Sequence, residues 1–134
     1  MKHLNPIALH KPTGYTHVVE VTGGRTLYIS GQVALDHNGV GVGGGDLRAQ
    51  ARQVFENLRA ALAASDATLG HVVKITVFMT DVSQIHAFRE VRDSVFTGPS
   101  PASTLVQVTR LARPEFMIEV EAVAVVDSAP QQGF

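Results

Sequence analysis

Apolar residues recur along this chain with two periods, about two and about 3.6, and the switches between them outline its elements. Tyr15-Thr16-His17-Val18-Val19-Glu20-Val21 is rich in β-formers, Gly23-Gly24 supplies a turn, and Arg25 to Ser30 follows as a second short strand. The pattern predicts a hairpin. Ser30-Gly31-Gln32 closes that strand with a glycine, which marks either a bulge or a backbone that a ligand approaches. From Asp46, a natural N-cap, the apolar residues Leu47, Ala51, Val54, Leu58, Ala61 and Leu62 take helical spacing as far as Ser65-Asp66. His71 to Thr80 alternates and is β-branched, so it reads as a strand. Ser83 is placed to cap a second helix whose inward stripe is Ile85, Phe88, Val91 and Val95. With Phe88 as zero, Arg92 falls at about +40°, inside that stripe, and Arg89 at about +100°, at its edge. Arg92 therefore either snorkels out near the helix end or offers a fixed cation to a buried carboxylate or a ligand.

Two extended runs follow Gly98-Pro99-Ser100-Pro101, which stops the helix. In the first, Thr104, Val106 and Val108 share one face, and Ser103, Leu105, Gln107 and Thr109 the other. In the second, Phe116, Ile118, Val120, Ala122, Ala124 and Val126 alternate with Met117, Glu119, Glu121, Val123 and Val125. A strand apolar on both sides is normally covered on both sides, so its two carboxylates need an explanation. Either they lie near the end of the sheet and reach solvent or a basic side chain, or another subunit supplies a second layer and one carboxylate lines a pocket at the joint. The predicted order is β-β-α-β-α-β-β. Two helices cover one face of a single mixed sheet and leave Leu105, Val123 and Val125 for a homo-oligomeric interface.

Composition narrows the chemistry. The 134 residues suit one domain, 1–134, with 128–134 as a loose tail. The absence of cysteine excludes a disulfide scaffold, a zinc ribbon and thiol catalysis. A formal net charge of −1 with 17% charged residues gives no basic footprint for nucleic acid and no polybasic membrane anchor. No apolar run resembles a secretory signal or a membrane span, so the expected location is cytoplasmic. His3, His10, His17, His37, His71 and His86 show no metal-ligand spacing. The glycines at 39, 41, 43, 44 and 45 lack the Lys-Ser/Thr ending of a P-loop and any parallel βαβ context, and read as a mobile surface loop.

Several stretches in order carry a resemblance. They are Gly14-Tyr15, Leu27-Tyr28-Ile29-Ser30-Gly31-Gln32-Val33, Gln50-x-x-Gln53-x-x-x-Asn57-Leu58, Val72 to Asp81, Pro101-Ala102, Val106 to Leu111, and Ile118 to Ala124. Over nearly its whole length the chain resembles the RidA/YjgF family. The resemblance implies a chorismate-mutase-like α+β fold, a homotrimer with inward-facing sheets, and clefts between subunits. It also implies hydrolysis of small imines and enamines, such as 2-iminobutanoate and 2-iminopropanoate, to the 2-oxo acid and ammonia, without metal or organic cofactor.

Carried over by position, the family's cleft tyrosine matches Tyr15, its backbone glycine Gly31, and the glutamate that positions the attacking water Glu119. The arginine that binds the substrate carboxylate does not carry over, because Pro-Ala-Arg-Ser reads Pro101-Ala102-Ser103-Thr104 here. A hydroxyl offers neither the charge nor the two-pronged fit of a guanidinium. The expected site therefore holds Ser103, Thr104 and the Gly31 backbone around the ligand, with Arg92 or Arg89 returning the cation from another wall. Alternatively, Arg92 pairs with Glu119 or Glu121. His17, two residues beyond Tyr15, is a further candidate contact. The readings compared are a hydrolytic deaminase, a non-catalytic metabolite binder or sensor, and a ribonuclease or translation inhibitor, which the near-neutral charge does not support.

Overall fold

The computed structural model describes residues 1–127, so the tail expected over 128–134 lies outside the described residues. In chain order the elements are β1 (Lys2–Leu4), β2 (Val18–Glu20), β3 (Arg25–Gln32), α1 (Leu47–Ala63), β4 (Val72–Met79), α2 (Ile85–Val95), β5 (Ala102–Gln107) and β6 (Ile118–Val126). Four strands form one mixed sheet in the order β3-β6-β4-β5. β6 is antiparallel to both neighbours, and β4 and β5 are parallel, with α2 as the crossover that a parallel pair requires. Both helices lie on one face. There Ile75, Val77, Ile118, Val120 and Ala122 form a single cluster with Val54, Phe55, Leu58, Leu62 and Phe88. This is the mixed α+β architecture expected. No helix among the described residues is long and apolar enough to cross a membrane.

Local signals behave as their chemistry dictates at the first helix. The Asp46 carboxylate accepts from the Ala49 N–H and caps α1. At α2 the cap differs from expectation: Asp81, not Ser83, starts the turn, accepting from both the N–H and the hydroxyl of Ser83 ahead of a short 3-10 segment. An aspartate accepts two bonds at once where a serine hydroxyl must also place a proton. The glycine-rich loop is pinned, with Val42 N–H donating to Ala34 O at 2.9 Å and Asp46 N–H to Gly43 O at 2.7 Å.

The predicted hairpin does not form. β2 pairs with β1 in a separate two-stranded sheet, and β3 pairs with β6. The reason lies just before β2. Thr16 N–H donates to Pro101 O at 3.1 Å and the Thr16 hydroxyl to Ser100 O, which fastens this segment beside the start of β5, at the far edge of the sheet from β3. Gly23 and Gly24, with φ of 73° and 85°, carry the chain away from that edge, and Gly24 lies against the Val126 backbone where a Cβ would clash.

The uncovered face also needs correction. Leu105 is in register with Val77 and packs on the helix-covered core, and Val125 is buried. The open face instead presents Tyr28, 82% exposed, together with Phe78, Val106 and Val123.

Gln50 links this architecture to the strand that follows. Although buried, its amide is fully used: Nε2 donates to Gly44 O (2.6 Å) and Glu115 O (2.9 Å), and Oε1 accepts from Met117 N–H (2.9 Å). Gln50→Ala strands three backbone groups and is expected to destabilise by roughly 2–4 kcal/mol, read from urea unfolding at fixed protein concentration. A loss below about 0.5 kcal/mol would contradict this account. The Ser83 hydroxyl, then its N–H, hold the Asp81 carboxyl below the usual carboxylate range. Its contribution is thus present above an unfolded pKa of about 4 and lost as pH falls through the folded one. The urea midpoints of wild type and Asp81→Asn should accordingly converge as the pH is lowered from neutral.

Candidate functional site

The residues singled out by the sequence separate into two groups. The first forms around Gly31. Register along β3 and β6 slips between Ile29 and Gln32, so the Ser30-Gly31 step is a bulge. The half-buried Glu119 of β6 lies directly over it, its carboxylate occupying the space that a Cβ on residue 31 would take. The bulge and the close approach, alternatives in the sequence, are one feature here. A cleft of about 470 Å³ runs from Gly31 past Gln32, Asp36 and His37 to Asn57. Asn57 Nδ2 fixes its wall by donating to Val33 O and Leu35 O, both at 2.9 Å, while Gln53 Nε2 holds Asn57 Oδ1 at 2.8 Å. At the same wall Asp36 accepts from Val40 N–H and Asn38 N–H, and the Val40 bond leads in keeping its carboxyl below the ordinary range.

The second group forms where β5 begins. Arg92 is 7% exposed, as its place in the apolar stripe of α2 implied. Its Nε donates to Asp93 Oδ1 at 2.9 Å, and its Cζ lies 5.9 Å from the Phe88 ring centroid. Its Nη2 and Cζ lie so close to Gly14 that any Cβ there would overlap the guanidinium. Gly14 has φ of 74°, so two independent constraints select glycine. The half-buried Tyr15 follows at once, its ring 5.4 Å from that of His17. Ser103, half-buried on β5, is in register with Ile75 and points to the helix side.

Other candidates stand apart from these two groups. Arg92 pairs with neither Glu119 nor Glu121: those carboxylates stand on the face away from the helices, and Glu121 is exposed there. Thr104 cannot act beside Ser103, because successive strand residues face opposite ways. Its hydroxyl instead accepts from Lys74 Nζ at 2.7 Å on the open face. Arg89 is exposed on α2, where the neighbouring Glu90 grips Arg48 of α1 with two bonds of 2.7 and 3.1 Å. That pairing raises the Arg48 pKa and lowers that of Glu90. Sequence reasoning missed Gly14 as a seat for Arg92, and it missed His10, whose Nε2 is 2.6 Å from the Tyr15 hydroxyl. A glycine before a cleft tyrosine was the available signal for the first; the second has none at sequence level.

The two groups cannot meet within one chain. Gly31 and Ser103 are on β3 and β5, at opposite edges of the four-stranded sheet, about 14 Å apart at three interstrand spacings.

Comparison with known proteins bears on the family and the fold. Residues 7–126 match the family model described as Endoribonuclease L-PSP. Protein DfrA of Myxococcus xanthus is 41% identical over 111 residues, covering 83% of this chain and 84% of that one. A mouse protein (Mus musculus) named 2-iminobutanoate/2-iminopropanoate deaminase is 36% identical, with 83% and 80% covered. Among solved structures, YyfB of Yersinia pestis, described as a protein of unknown function of the conserved Rid family, superposes with a TM-score of 0.87 at 37% identity, covering 93% of this chain and 98% of its own. RidA from an Antarctic Psychrobacter gives 0.72 at 35%, covering 87% and 92%. A mixed sheet covered on one face and these matches lead to one conclusion: the chain belongs to the RidA/YjgF family.

Proposed function

We propose that this protein binds a small imine, enamine or related carbonyl compound bearing a carboxylate, in clefts between the subunits of a homotrimer, and hydrolyses it to the carbonyl product and ammonia. The observation that carries the reading is the placement of Glu119 over Gly31, where the missing Cβ leaves room for the carboxylate. In this mechanism Glu119 accepts a proton from water as the water oxygen adds to the imine carbon. The nitrogen takes up protons and leaves as ammonia while the carbonyl forms. The Arg92 guanidinium receives the ligand carboxylate in place of the arginine that Ser103 replaces. Self-association supplies the missing proximity: one copy contributes Gly31 and Glu119, and a neighbour contributes its β5 edge with Tyr15, Arg92 and Ser103. The open apolar face with Tyr28, Phe78, Val106 and Val123 supports such burial.

A second reading, a binder or sensor without turnover, is favoured by the neutral Ser103. A relative named as a deaminase supports the first reading by likeness alone. Generating 2-iminopropanoate in situ and following ammonia separates the two. On the first reading Glu119→Gln lowers kcat by roughly 10²–10⁴. Binding of pyruvate by a wild type that produces no ammonia above the uncatalysed rate would leave the binder.

Arg92→Ala and Gly14→Ala are each expected to weaken pyruvate binding by about one to two powers of ten in calorimetry, since the second displaces the guanidinium without removing it. Arg89→Ala should change it little, and unchanged affinity in all three would remove Arg92 from the site. Light scattering should give three times the 14.3 kDa chain mass; an active monomer would end the assembly argument.

A further inference from the structure

Tyr15 of the proposed site belongs to a cluster whose other members, His10, His17 and Asn5, have no part in the mechanism just given. His10 Nε2 and Tyr15 Oη are 2.6 Å apart, His17 Nε2 lies 2.7 Å from the His10 carbonyl oxygen, and Asn5 Oδ1 accepts from the His17 N–H at 2.8 Å. The rings of His10 and His17 meet edge to face at 4.8 Å, and those of His17 and Tyr15 at 5.4 Å. A carbonyl oxygen only accepts, so His17 carries its proton on Nε2 and fixes the main chain at His10. The in-plane lone pair of an imidazole nitrogen is a better acceptor than a phenol oxygen, so the short contact is read as Tyr15 donating to His10. The tyrosine proton is then turned away from any ligand, and the phenol oxygen presents lone pairs.

We propose that His10, held by His17, is a positioning residue that makes Tyr15 a hydrogen-bond acceptor, so that the site selects carboxylates bearing an N–H group beside the acid. Tyr15 is the next residue after Gly14, against which the Arg92 guanidinium is seated, so cation and acceptor stand one residue apart. A ligand whose carboxylate meets Arg92 brings its neighbouring nitrogen to the tyrosine oxygen. An N–H satisfies that oxygen, whereas a carbonyl or ether oxygen faces it lone pair to lone pair. The inference rests on the carboxylate reading above and adds a discrimination which that reading does not contain.

Pyrrole-2-carboxylate and furan-2-carboxylate, matched in shape and charge but differing in N–H against O, test it by calorimetry. Wild type is expected to prefer the pyrrole acid by roughly three- to tenfold. His10→Phe frees the tyrosine proton to point outward and should abolish or invert the preference. His10→Gln, whose amide oxygen can still accept from Tyr15, should retain it. Tyr15→Phe should lose the preference while keeping most of the furan acid's affinity. Equal affinities in wild type, or an unchanged preference in His10→Phe, would overturn the proposal and leave the carboxylate site standing. Failure of both acids to bind wild type would instead remove the carboxylate reading, and this proposal with it.

Discussion

A strand in the middle of a sheet must give both rows of its backbone groups to neighbours, and here that strand, β6, is covered by helices on one side only. Its pairing with β3 and β4 is the constraint on which the rest depends. Residues of even number from Ile118 to Ala124 are buried beneath the helices, and the odd ones are left to the other face. Glu119 stands where it does because of that parity, since one step of register would turn the carboxylate into the core. The bulge in β3 then removes a side chain where the carboxylate needs room. Strand alternation and a missing Cβ place the acid together.

The same device recurs at Gly14, where a glycine makes room for a cation. A charged group pressed against a peptide backbone loses part of its water but meets peptide dipoles in fixed positions, and it is held with few rotamers open to it. Side-chain networks support both seats: Gln53 and Asn57 brace the chain after Gly31, and Thr16 ties the chain after Gly14 to Ser100 and Pro101.

Much of this was legible in residue order, and the limit has a physical character. The helices, β4 and β6 declare themselves through local periodicity, and Arg92 appeared within its stripe because helical geometry is fixed over a few residues. The glycine at 31 could be flagged from its position in a strand. Pairing partners could not be read in the same way. The run around Val18 satisfies a hairpin pattern, yet its neighbour is Lys2–Leu4, because bonds from Thr16 to a segment more than eighty residues away fix its path. Which face Leu105 takes likewise depends on its register with Val77, a contact between strands joined through a helix. Thr104 was grouped with Ser103 on the strength of a motif, whereas pleating alone sends them apart.

The position of β6 also bears on the order in which the molecule can be made. β3 and β4 flank a gap that only a later segment fills, so during synthesis both strands leave the ribosome with an unpaired edge toward each other. The parallel β4-α2-β5 unit can assemble before that, but the sheet as a whole closes in one late step once residues 118–126 have emerged. Until then the nascent chain carries open strand edges, and its protection by chaperones during translation matters more than the modest size of the finished protein would suggest.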